Sequence, residues 1–134
     1  MKLTASVLAG VAAALLAGPA LAHHSFAIFD QSKTNYLTGT VKQFEWVNPH
    51  AWVHMVVADE QGKASTWSFE AGSPAQLAAL GWNPEAFHIG DKIVVGFRPM
   101  KDGSRGGQVM SVTLASGQKV CSNRGCGTTS GPYQ

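Results

Sequence analysis

AWVHMVVADEQGKASTWSFEAGSPAQLAALGW, residues 51–82, changes its periodicity twice, and those changes decide the fold. Over 51–59 the period is two. Ala51, Val53, Met55 and Val57 fall on one face of a strand, and His50, Trp52, His54 and Val56 fall on the other. A turn around 60–63 closes a hairpin onto 65–70, where Trp67 and Phe69 share one face and Ser68 and Glu70 share the opposite one. Ser73 then stands as an N-cap with Pro74 at the first helical position, where its missing N–H costs nothing. Residues 76–80 fill a helix of about two turns, and Gly81 supplies the left-handed residue that ends it.

Upstream, YLTGTVKQFEW (36–46) reads as the first strand, with Gly39 as a bulge or bend, and Asn48-Pro49 as the turn into the second. Downstream, Asn83-Pro84 makes another turn and Gly90-Asp91 leads into a fourth strand over 92–98. The polar loop KDGSRGG leads to a fifth over 108–114, and ASGQKV offers a short edge strand. Three strands, a helix and two strands predict an all-β chain with one short helix: a small five-stranded barrel of the OB type. The alternative is an open antiparallel β-sandwich. No internal repeat is visible.

The start of the chain has a different character. Lys2, the apolar run 7–16 and Ala20-Leu21-Ala22 form a signal-peptide pattern, with cleavage expected before His23. The run is short for a membrane span of about 20 residues, and Gly18-Pro19 interrupts it. The expected organisation is a signal peptide over 1–22, one barrel domain with an N-terminal arm over 23–117, and a flexible Gly/Ser-rich tail over 118–134. The product would be periplasmic or secreted, with no membrane span after cleavage. In an oxidising compartment Cys121 and Cys126 are expected to form a small-loop disulfide. The formal charge of the 134 residues is +2, and the leader takes only Lys2 from it. No basic field points to nucleic acid or an anionic membrane surface.

Cleavage before His23 would place a histidine at the N-terminus, followed by His24. A free α-amine and an imidazole on one residue can form a chelate that a distant imidazole completes, and nitrogen ligands of this kind suit Cu(II). The candidate metal ligands are therefore His23, His24, His50 and His54, and copper is the expected cofactor. His50 and His54 lie roughly 13 Å apart on a straight strand, too far to share one ion without a bend. The arrangement resembles the histidine brace of periplasmic copper-resistance proteins and copper polysaccharide monooxygenases. That resemblance covers only His23 and one of His50 or His54, and those families are built on other folds. His88, just before Ile89-Gly90, reads as a loop residue.

A second constellation is aromatic. With His50 and His54, Trp52 makes an outward-facing stripe, and Trp52 and Trp46 are candidates for a surface that stacks on a saccharide or meets a partner protein. Catalysis finds little support. Glu45 and Glu70 sit beside aromatics with nothing to place them across a groove, no nucleophile elbow or phosphate loop is present, and the cysteines form no C-x-x-C. The expected function is non-enzymatic metal binding, with an exported interaction module as the alternative.

The stretches HHSFAIFD, GTVKQFEWVNPHAWVHM, TWSFEAGSPAQLAALGW, GDKIVVGFRPMKDGSRGG and SVTLASGQ together resemble a family of small exported bacterial proteins known only as a domain of unknown function. Its marks are a mature His-His-Ser start, a Trp-x-Asn-Pro-His motif and a Gly-Asp step into a strand. The likeness runs from His23 to about Gly117, with Trp46, Asn48, Pro49 and His50 its most specific part. It implies export and a small β domain, and no activity.

Overall fold

The computed structural model describes residues 26–124 and residue 126. Six strands and one helix follow in the order β1 (Asn35–Glu45), β2 (Trp52–Ala58), β3 (Ala64–Glu70), α1 (Pro74–Ala78), β4 (Lys92–Pro99), β5 (Gly106–Leu114) and β6 (Lys119–Cys121). A single 3-10 turn, Phe26–Ile28, precedes them.

β1, β2 and β3 form an antiparallel meander, and β4 and β5 form a hairpin. β1 belongs to both halves. Residues 35–40 pair with β4 and residues 40–45 pair with β2, so Thr40 faces both Lys92 and Val56. A parallel contact, in which Ser68, Phe69 and Glu70 meet Gly106, Gly107 and Gln108, then joins β3 to β5. The circuit β1-β2-β3-β5-β4 is closed, which makes the five-stranded OB-type barrel expected from the sequence and excludes the open sandwich. β6 adds to β5 as an antiparallel edge, so the folded chain continues past Gly117.

Close backbone approach explains three glycines. A Cβ on Gly39, where β1 crosses between its two partners, would stand 2.7 Å from the Val56 carbonyl oxygen. At Gly106 and Gly107 it would stand 2.3 Å from the carbonyl oxygen of Ser68 and 2.2 Å from that of Arg98. Those two glycines read as loop from sequence; they belong to β5 because only a residue without a side chain fits where three strands converge. The irregularity in the β1–β2 ladder lies between Val41 and Gln43 rather than at Gly39.

Strand alternation fills the interior. Val41, Val53, Met55, Phe69, Ile93, Val95, Phe97, Val109 and Val112 are all buried. Phe69 and Phe97 meet with ring centroids 4.8 Å apart. α1 closes one end. Ser73 caps it with a reciprocal pair of hydrogen bonds to Gln76, Pro74 occupies its first turn, and Gly81 follows with φ of 92°. The helix drops Leu77, 0 % exposed, onto the barrel, and Trp82 packs behind it against Phe44 and Phe87. The Trp82 indole donates to the Cys121 carbonyl at 2.9 Å. Cys121 and Cys126 form the expected disulfide.

The arm before β1 is tied down by three backbone features. Phe29 bridges Met100, the Asp30 amide donates to the Pro99 carbonyl at 2.8 Å, and the Lys101 amide donates to the Ile28 carbonyl at 2.9 Å. Phe29 is 2 % exposed, whereas Phe26 is 49 % exposed and lies toward a pocket described below. Among the described residues no helix is long and apolar enough to cross a membrane.

Candidate functional site

The outer surface of β1, β2 and β3 gathers the polar side chains that alternation keeps out of the core. The β2–β3 register sets His54 opposite Ser68 and Trp52 opposite Glu70, and the β1–β2 register sets Glu45 opposite Trp52. Two histidine–glutamate pairs result, and they are built differently.

His54 uses both ring nitrogens. Nδ1 is 2.8 Å from Ser68 Oγ and Nε2 is 3.2 Å from Glu45 Oε1. Glu45 also accepts from Gln43 Nε2 at 2.9 Å. The Trp52 ring lies parallel to the imidazole, 7° between planes and 6.2 Å between centroids. The result is a chain of side-chain bonds across three strands, and it leaves the imidazole with no lone pair to offer.

His50 stands in the segment leading into β2, held there because Ala51 exchanges backbone hydrogen bonds with Gly72 and Ala71. Its Nδ1 meets the Glu70 carboxylate, which is largely buried, while the histidine side chain is about one-third exposed. With the carboxylate accepting from Nδ1–H, a neutral imidazole here carries its lone pair on Nε2. A carboxylate behind a histidine is the usual support of a metal-ligating imidazole.

His50 also lines a pocket of about 500 Å³ between the arm, α1 and the segment after β6, with Phe26, Leu80, Gln108 and Arg124 among its walls. Among the described residues no group of three or more His, Cys, Asp or Glu side chains could hold a metal ion. His23 and His24 lie outside the described residues. His88 sits in the loop before β4, its side chain 67 % exposed, 3.5 Å from Glu85 and 3.8 Å from Asp91.

The chain belongs to DUF6152, a family of unknown function. The DUF6152 model matches residues 11–110, which takes in the arm, β1 through most of β5, and both histidine–glutamate pairs. β6 and the disulfide fall beyond the DUF6152 match. No curated protein gives a significant match, and no solved structure does.

Of the two aromatic candidates, Trp52 lies half-buried on the outer face against His54, and Trp46 packs edge-on to Phe44 beside the core, 5.9 Å between centroids. Sequence reading gave Glu45 and Glu70 no role beside the histidines. The hairpin held the signal for Glu70: antiparallel pairing counted back from the turn at Asp59–Lys63 places Ser68 and Glu70 beside His54 and Trp52 on one face. Near the arm, Asp30 accepts from the Ser32 hydroxyl at 2.6 Å and the Ser32 amide at 3.0 Å, and Lys33 lies 3.2 Å away. Together these hold its carboxyl at about 2, below the usual aspartate value.

Proposed function

We propose that this is an exported, non-enzymatic metal-binding protein that holds copper through His23, beside His24, with His50 as the strand-borne ligand. The observation that carries this reading is the half-used imidazole of His50. Glu70 fixes its Nδ1, Nε2 has no partner among the described residues, and the ring lies on the wall of a pocket that Phe26 also lines. His23 is three residues before Phe26. Three residues reach at most about 10 Å, which bounds how far an N-terminal His23 would lie from Phe26. His54, with both nitrogens engaged, is the poorer ligand.

The test is a Cu(II) titration of untagged protein, shown by intact mass to begin at His23, with electron paramagnetic resonance detection. A type-2 spectrum with nitrogen couplings is expected, with affinity falling at least tenfold in both His23→Ala and His50→Ala. Unchanged affinity in His23→Ala sinks the reading.

A second reading has its own observation. The stacked Trp52–His54 pair lies on the β2 surface that OB barrels use for ligands, and it suits a saccharide ring or a partner protein. That reading expects Trp52→Ala to abolish glycan or partner capture with the fold intact, and retained capture would remove it.

A further inference from the structure

The pocket beside His50 has a chemistry of its own, independent of any metal. One part of its wall is apolar, formed by Phe26, Leu80 and Val109. The polar part comprises His50, Ser122 and Asn123 together with three residues that bring N–H donors. Gln76 has its carbonyl oxygen engaged by the Ser73 amide at 3.3 Å, and Gln108 has its carbonyl oxygen engaged by Gln31 Nε2 at 3.4 Å. Each glutamine therefore keeps an amide –NH2 group for a ligand. Arg124, in the loop that the Cys121–Cys126 disulfide closes, adds a guanidinium. No aspartate or glutamate is among the residues lining the pocket.

Two amide donors and a guanidinium with no carboxylate among the lining residues, set beside an apolar wall, select one class of occupant. We propose that this pocket binds a small organic anion, a carboxylate or sulfonate carried on an apolar body. The charged end faces Arg124, Gln76 and Gln108, and the body lies against Leu80, Val109 and Phe26. A volume of about 500 Å³ suits a molecule of that kind. The guanidinium presents two parallel N–H groups that match two oxygens of such a head group. A neutral molecule of the same shape would leave the Arg124 charge unanswered, so discrimination rests on charge as well as fit.

The experiment compares 2-naphthoate with its uncharged counterpart 2-naphthamide. Untagged protein in EDTA is titrated with each, and the side-chain amide resonances of Gln76 and Gln108 are followed by NMR. Naphthoate is expected to bind at least tenfold more tightly than naphthamide and to move both glutamine resonances. Arg124→Gln should reduce that preference to less than threefold with the backbone spectrum otherwise unchanged, and Leu80→Asn should weaken both compounds alike. Equal affinity for the two compounds, binding that leaves both glutamines unmoved, a preference that survives Arg124→Gln, or no binding by either compound overturns the assignment. With metal removed throughout, failure of the copper reading cannot imitate any of these results.

Discussion

His50 and His54 lie four residues apart in sequence, each facing a glutamate on a neighbouring strand, yet they finish in opposite conditions. His54 is the middle of a bonded chain, Glu45–His54–Ser68, and its ring is fully used. His50 is held at one nitrogen only. The difference comes from position along the barrel. His54 sits within β2 with a strand on either side to supply a partner, whereas His50 stands just before β2 begins and has one carboxylate behind it and a pocket beside it. The same residue type therefore serves as a cross-strand tie in one place and as a ring held at one nitrogen on a pocket wall in the other.

The comparison can be broken outright by removing the scaffold that both pairs share. Phe69 lies between Ser68 and Glu70 and is fully buried. Phe69→Ala is expected to cost about 3–5 kcal/mol, read from the midpoint of urea unfolding. Gly107→Val should act comparably, because its side chain has no space against Arg98 and Phe97 at barrel closure.

It is sharpened by treating the two histidines separately. His50→Ala should lower Cu(II) affinity at least tenfold, about 1.4 kcal/mol, with His54→Ala changing it less than threefold. Equal losses in the two variants would contradict the distinction between a used and an available ring. In stability the order should reverse. His54→Ala removes two hydrogen bonds and a stacking contact and is expected to cost about 1 kcal/mol, with His50→Ala costing less. Chemical denaturation of the metal-free proteins at neutral pH checks this.

The smallest expected effect concerns the arm that leads to the pocket. Asp30 has its carboxyl lowered to about 2 in the folded chain by the Ser32 donors and Lys33. A depressed carboxyl stabilises the fold fully above the unfolded value near 4, and that contribution disappears as pH falls through about 2. The stability difference between wild type and Asp30→Asn should therefore be constant from pH 5 to 7 and shrink toward zero between about 4 and 2.

Much of this architecture was legible in the sequence, for physical reasons. The alternation of Ala51, Val53 and Met55 against Trp52 and His54 is the signature of a half-buried strand, and all three small or apolar members are buried. Ser73, Pro74 and Gly81 announce a helix by cap chemistry that needs no tertiary partner. The role of Gly106-Gly107 was not legible, because a glycine pair after a polar loop has the same local signal whether it turns the chain or allows two strands to approach. Of the site, the outward face of His50, Trp52 and His54 could be read, and their inequality could not. That inequality depends on Glu45, Ser68 and Glu70 arriving from other strands in a particular register, and register is a property of pairs of strands.

Barrel closure also has a consequence for the order of events in folding. The meander and the β4–β5 hairpin join residues close in sequence, but the parallel contact of Ser68 with Gly106 and Glu70 with Gln108 spans the helix and an entire strand between them. Contacts of such long range form late, since the intervening chain must first give up its freedom. Substitutions in the β2–β3 hairpin should then slow folding, and those at Gly106 should chiefly speed unfolding, a contrast that chevron analysis measures directly. The His50–Glu70 pair would be assembled with the hairpin, whereas Gln108 would join the pocket wall only when the barrel shuts, so the pocket would be among the last features of the molecule to exist.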